Sequence, residues 1–202
     1  DFFSMTMNTH NVAFYPAHPA QLWIMYYLSL ELDDNIKVFW VLRDKDVLVA
    51  LARKLELEFV IFSKAKTGII GNALELTLNL FRAIRFTRKN KIHLWLTKYG
   101  AGNIAATLCG SKSLSFNDDD IDVVPLIAIT SYPFAEKVLC PEWVRMGKYE
   151  SKTKRYRGMN ELIYLHPKRN AKIAQDRTNL IQDLGSENFI LIRMSALAAH
   201  HD

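Results

Sequence analysis

Five times over, a short β-type run in this sequence is followed by a stretch with helical spacing. Asn11–Tyr15 stops at Pro16, and Ala20–Leu30 then places Leu22, Met25, Tyr26 and Leu30 at helical intervals. Ile36–Leu42 is a near-continuous apolar run of the kind buried on both faces, followed by the polar turn Arg43-Asp44-Lys45-Asp46 and a helix over Val47–Leu55. Glu58–Phe62 reads as a strand, a loop carrying Gly68 and Gly71 follows, and Leu74–Arg88 reads as an amphipathic helix. The pairs Lys91–Thr97 with Gly102–Leu108, and Ser113–Phe116 with Asp122–Ile129, complete the series. Antiparallel sheets need no helix after each strand, whereas parallel strands require a crossover. The alternation therefore predicts an α/β fold with a Rossmann-like parallel sheet and helices on both faces.

Lys137–Cys140 is a sixth strand ended by Pro141, after which Glu142–Met159 turns charged, aromatic and aperiodic, the chemistry of a loop or linker. Ala171–Leu184 is read as a polar helix capped by Gly185, and Phe189–Arg193 as a new buried strand. This divides the chain into a Rossmann-like domain over 1–168 and a linker helix with the first strand of an incomplete second domain over 169–202. Such an arrangement is expected to leave an apolar face that promotes self-association.

Half the residues are apolar and only 8 of 202 are glycine, which excludes disordered and fibrous classes. No apolar run approaches the roughly 20 residues of a membrane span. Cys109 and Cys140 lack metal or redox spacing and are read as buried thiols of a reducing compartment, hence a cytoplasmic protein. The net charge of +5 gathers in Arg82/Arg85/Arg88/Lys89/Lys91 and in Arg145–Arg157. Both clusters lack a reader motif with stacking aromatics, which argues against nucleic acid as partner. Solvated surface is the simplest reading of each; the first is also a candidate contact for anionic headgroups at the inner membrane face.

In open parallel sheets ligands sit outside the carboxyl ends of the strands, so the loops there carry the candidates. His18, in Tyr15-Pro-Ala-His18-Pro-Ala-Gln21, is either a helix cap or an acid, base or donor at a helix mouth. Arg43 is placed to meet a carboxylate or phosphate, with Asp44 or Asp46 capping the next helix. Gly100-Ala-Gly102-Asn-Ile-Ala105 has dinucleotide-binding grammar but stands on the fourth strand, so a tight turn that lets backbone approach a ligand is the stronger reading. In Asn117-Asp118-Asp119-Asp120 an aspartate would cap the helix that follows, but capping needs one carboxylate and there are three, which could position a metal or a sugar hydroxyl or supply a general base. No cofactor or metal is assigned to these residues.

The Asp-rich loop, together with Tyr156-Arg-Gly-Met-Asn-Glu161-Leu-Ile-Tyr164-Leu165-His166-Pro167 and Ala199-His200-His201-Asp202, resembles the domain of unknown function 354 family, grouped with the GT-B glycosyltransferases and the UDP-N-acetylglucosamine 2-epimerases. His18-Pro19, Arg43-Asp44, Gly100, Cys140-Pro141 and Arg193 fit the same pattern. The resemblance implies two facing Rossmann-like domains, of which this chain holds the N-terminal one and the truncated start of the other. It further implies a nucleotide-activated sugar as substrate with an unknown acceptor, in surface polysaccharide or glycolipid synthesis. The expected reaction is glycosyl transfer; the alternatives are 2-epimerisation of a sugar nucleotide and a non-catalytic nucleotide-binding module. On this reading His18, Asp118 and Asp119 are catalytic candidates. Arg43, Gly100, Gly102, Asn117, Asp120, Glu161, His166, Arg193, His200 and His201 are candidate substrate contacts.

Overall fold

The computed structural model describes residues 9–45, 47–66 and 68–166, together with residues 178–179, 181–185, 188, 190 and 192. In chain order the elements are β1 (His10–Tyr15), α1 (Pro19–Ser29), β2 (Ile36–Asp44), α2 (Leu48–Lys54), β3 (Phe59–Lys64), α3 (Gly68–Asn90), β4 (Leu94–Thr97), α4 (Gly100–Cys109), β5 (Lys112–Phe116), α5 (Pro125–Thr130), β6 (Lys137–Pro141), a 3-10 helix (Gly147–Lys152), β7 (Thr153–Tyr156) and α6 (Leu162–Leu165). All seven strands pair in parallel in the order β3-β2-β1-β4-β5-β6-β7, so the direction of winding reverses between β1 and β4.

Alternation along β1 shows how the layers are held. Val12 and Phe14 point to one side, where they pack with Leu22 and Met25 of α1 and Leu48 and Ala52 of α2. Ala13 and Tyr15 point to the other, against Ala83 of α3 and Ala105 and Ala106 of α4. A third cluster joins Ala128 of α5, Val138 and Cys140 of β6 and Tyr149 of the 3-10 helix. Helices thus cover both faces, as the alternation requires.

Three expectations are corrected. The stretch with Gly68 and Gly71 is the first turn of α3 rather than a loop; Gly68 has φ +77° and opens the helix. Residues 142–159 are not featureless, since they contain the 3-10 helix and β7. β7 escapes a pattern search because Thr-Lys-Arg-Tyr is short and polar, as an edge strand paired on one side only is free to be. Cys140 is buried, but Cys109 is only half-buried at the end of α4. Of the linker helix expected over Ala171–Leu184, residues 178–179 and 181–184 are described and helical. Of the buried strand expected at Phe189–Arg193, Ile190 and Ile192 are described; they lie in no strand and are exposed, so the expectation of burial fails at both. Arg193, His200 and His201 lie outside the described residues.

Candidate functional site

The carboxyl ends of β1, β2, β4, β5 and β6 form one rim, and the loops leaving them carry His18, Arg43, Gly100 and the Asp-rich segment. β1 and β5 flank β4, so His18 and Asp118 follow strands set about 10 Å apart.

His18 is the N-cap of α1: its backbone is extended and its Nδ1 accepts from the Ala20 amide at 3.3 Å, with Pro19 at the first helical position. An Nδ1 that accepts leaves the proton of the neutral ring on Nε2, so in this state the exposed ring presents a donor. Capping and a place on the rim coexist here.

Of the two partners expected for Arg43, a carboxylate or a phosphate, the fold supplies the first from within the protein. A register shift between Leu42 and Arg43 sets Arg43 opposite Ser63 on β3. There its Nε and Nη2 donate to the two oxygens of Glu75 at 2.6 and 2.7 Å, while the Ser63 hydroxyl (2.7 Å) and the Lys66 amide (3.0 Å) donate to the same carboxylate. Glu75, on the buried side of α3, is 1% exposed. Burial by itself raises its carboxyl, but the hydrogen bonds from Arg43, Ser63 and Lys66 outweigh it and lower the pKa from 4.5 to about 2. The guanidinium also lies over the Tyr99 ring, which meets Tyr15 edge-on at the point where strand order reverses. Arg43 is therefore committed to an internal carboxylate instead of a ligand phosphate. Asp44 ends β2, and the N-cap of α2 is Val47, which makes no side-chain cap; Asp46 lies outside the described residues.

The two glycines of α4 let the chain approach itself. A Cβ on Gly100 would stand 2.5 Å from the Thr130 carbonyl oxygen, and one on Gly102 would stand 2.9 Å from Thr97 and 3.1 Å from Trp95. Their smallness is thus explained by α4 seating against α5 and β4.

The Asp-rich loop divides by role. Asn117 is buried; its amide donates to the Asp119 carbonyl and to Met146 Sδ (3.3 Å), and its Oδ1 accepts from the Asp119 amide, which shapes the turn. Asp120 accepts from the Arg145 backbone amide at 2.8 Å and from its guanidinium, pinning the segment after Trp143. These hydrogen bonds from Arg145 lower the Asp120 carboxyl. Both residues build the loop. None of the three aspartates caps α5, whose N-cap is Val124 with Pro125 next.

Asp118 and Asp119 remain turned to the rim. Lys98, buried at the end of β4, donates to Asp118 at 2.7 Å and to Asp119 at 3.0 Å. Burial pushes the Asp118 carboxyl up, but the charge and hydrogen bond of Lys98, with the Asn160 amide beside it, hold it below its usual value. Such a carboxylate is a weak general base and a firm acceptor for hydroxyl donors. Asp118, Asp119, Trp143, Met159, Asn160 and Glu161 border a pocket of about 190 Å³ closed on one side by Pro141. α6 packs against α1, which brings the Glu161 end of the chain back toward the His18 side of the rim; His166 ends α6 on the surface. The Tyr156 hydroxyl donates to Asn160, and burial with the nearby Asp118 charge raises the Tyr156 phenol. Among the described residues, no cluster of His, Cys, Asp and Glu has a metal-ligand arrangement.

Glu75 and Lys98 were not singled out in the sequence. Glu75 is the sole acid of its helix, flanked by Leu74 and Leu76, a pattern that signals a buried charge. Lys98 has no such signal.

No family model matches the sequence, and no curated protein does either. Solved structures do. The UDP-N-acetylglucosamine 2-epimerase from Rickettsia bellii aligns with a TM-score of 0.61 at 11% identity, covering 88% of this chain and 52% of that one. The UDP-GlcNAc 2-epimerase from Methanocaldococcus jannaschii gives 0.60 at 15% identity, with 90% and 54% covered. The enzyme of the same name from Neisseria meningitidis, bound to UDP-GlcNAc, gives 0.60 at 9% identity, with 86% and 53% covered. At these identities the likeness is one of fold, and this chain spans about half the length of each.

Proposed function

We propose that the rim pocket serves a GT-B-type protein acting on a nucleotide-activated sugar. The carrying observation is the convergence of Asp118, Asp119 and Glu161 on one pocket at the carboxyl rim of a sheet whose fold is that of structures crystallised as UDP-GlcNAc enzymes. In this reading Asp118 and Asp119 hold sugar or acceptor hydroxyls, and His18 donates from the opposite side of the rim. The reaction is glycosyl transfer: an acceptor hydroxyl attacks the anomeric carbon and passes its proton to the Asp119 carboxylate, the bond to the phosphate oxygen breaks, and the nucleoside diphosphate departs. Membership of the domain of unknown function 354 family belongs to the same proposal, resting on Tyr164-Leu165-His166 and the Asp-rich loop.

Epimerisation at C2 of the same substrate class is the second reading, favoured by the matched 2-epimerases. The full-length protein incubated with carbon-labelled UDP-GlcNAc separates the two. Label in a new acceptor conjugate identifies transfer, and an isomeric sugar nucleotide formed without acceptor identifies epimerisation. D118N/D119N should weaken UDP-GlcNAc binding at least tenfold in calorimetry while the fold persists. Unchanged affinity, or no binding by the parent protein, removes the proposal.

A further inference from the structure

The solvent face of α3 is apolar along its first half and cationic along its second. Ile70, Leu74, Leu78 and Phe81 recur at helical steps and share one stripe, and all are exposed, Ile70 by 85% and Phe81 by 67%. Arg85 and Arg88 continue that stripe, with Arg82 and Lys89 beside them, and all four are exposed. The opposite side, with Glu75, Asn79, Ala83 and Thr87, is buried. Glu75 is the only acid of the helix, so its outer surface carries four cations and no carboxylate. Among the described residues none of these four cations makes an ion pair. The neighbouring edge strand β3 extends the apolar surface through Val60 and Ile61, which border with Arg82, Arg85 and Lys89 a shallow groove of about 200 Å³.

We propose that this face docks on the surface of an anionic lipid bilayer. Ile70, Leu74, Leu78 and Phe81 enter the headgroup region while Arg82, Arg85, Arg88 and Lys89 meet lipid phosphates. Charge complementarity selects this occupant: an apolar stripe accounts for burial of some kind, but four cations on and beside it, with no ion-pair partner among the described residues, call for a dense anionic surface. A second copy would bring the same cations and no carboxylate of α3 to meet them. No helix among the described residues is long and apolar enough to cross a membrane, so the contact is peripheral. This inference stands apart from the sugar-nucleotide reading, since it uses none of the pocket residues.

The test is flotation of the full-length protein with phosphatidylglycerol–phosphatidylcholine vesicles and with phosphatidylcholine vesicles alone, at low and high salt. Binding is expected on the anionic vesicles only and should fall with salt. R85A/R88A should lower partitioning about 25-fold, at about fivefold per cation. L74S/F81S should lower it about tenfold or more, as apolar area is withdrawn from the interface. Thermal melts of both variants should match the parent, because the altered side chains are exposed. Absent flotation, equal binding to neutral vesicles, or indifference to R85A/R88A overturns the proposal. So does light scattering that shows a dimer dispersed by L74S/F81S in a protein that binds no vesicles, the sign of a second copy on this face.

Discussion

On one side of the rim Arg43 meets Glu75, and on the other Lys98 meets Asp118 and Asp119. The chemistry is the same, a cation facing carboxylate, yet the surroundings are opposite. Glu75 accepts from Arg43 twice, from Ser63 and from the Lys66 amide, and water hardly reaches it. Every lone pair that matters is spoken for inside the protein. Asp118 is 42% exposed in its pocket and Lys98 is the buried partner, so the carboxylate keeps acceptor capacity toward a ligand. A buried charge with all its partners internal is architecture, and a half-buried one anchored from below is a candidate site.

The contrast is most easily broken at Glu75. Replacing it with Gln should cost about 3–5 kcal/mol in urea unfolding, because Arg43 is left buried beside a neutral amide. R43M/E75L, which removes both charges, should recover much of that loss. The sign of the pH dependence follows from a pKa lowered from 4.5 to about 2: the stabilisation is complete above pH 4.5 and is lost as pH falls toward 2. E75Q should flatten that acid limb, and an unaltered limb would place the titrating group elsewhere. K98M should come next, at roughly 1 kcal/mol, since its partners keep access to water. Its larger effect should be functional: NMR titration should show the Asp118 carboxyl moving up from its lowered value, with UDP-GlcNAc binding weakened. If K98M destabilised as strongly as E75Q, the two constellations would be alike and the distinction would fail. D120N is the smallest test. Its bond to Arg145 lies at the surface, so global unfolding should be unchanged while amide exchange at Arg145 quickens.

Much of this rim was legible in the residues. The strand-to-helix alternation located β1 through β6 within a few positions, and ligand logic for parallel sheets pointed to His18 and Asp118. Where a residue has a partner distant in the chain, that partner was not legible in the sequence. Arg43 looked available because Glu75 is 32 positions away, in the helix packed on the face of the sheet toward which Arg43 points. Gly100 and Gly102 looked like ligand-binding glycines because the atoms that fill their space, on Thr130 and Trp95, are set by helix packing. β7 was passed over because its stability comes from pairing with β6 and not from its own pattern.

Periodicity and turn chemistry are local, encoded in neighbours a few residues apart, and from them alone follow the layered α/β architecture and the edge of the sheet on which polar loops collect. Which cation neutralises which carboxylate, and which aspartate of Asp118-Asp119-Asp120 is left facing a pocket, are questions of distance across the fold. Packing answers them, because Coulomb and hydrogen-bond energies depend on separations of a few ångströms that no spacing along the chain records.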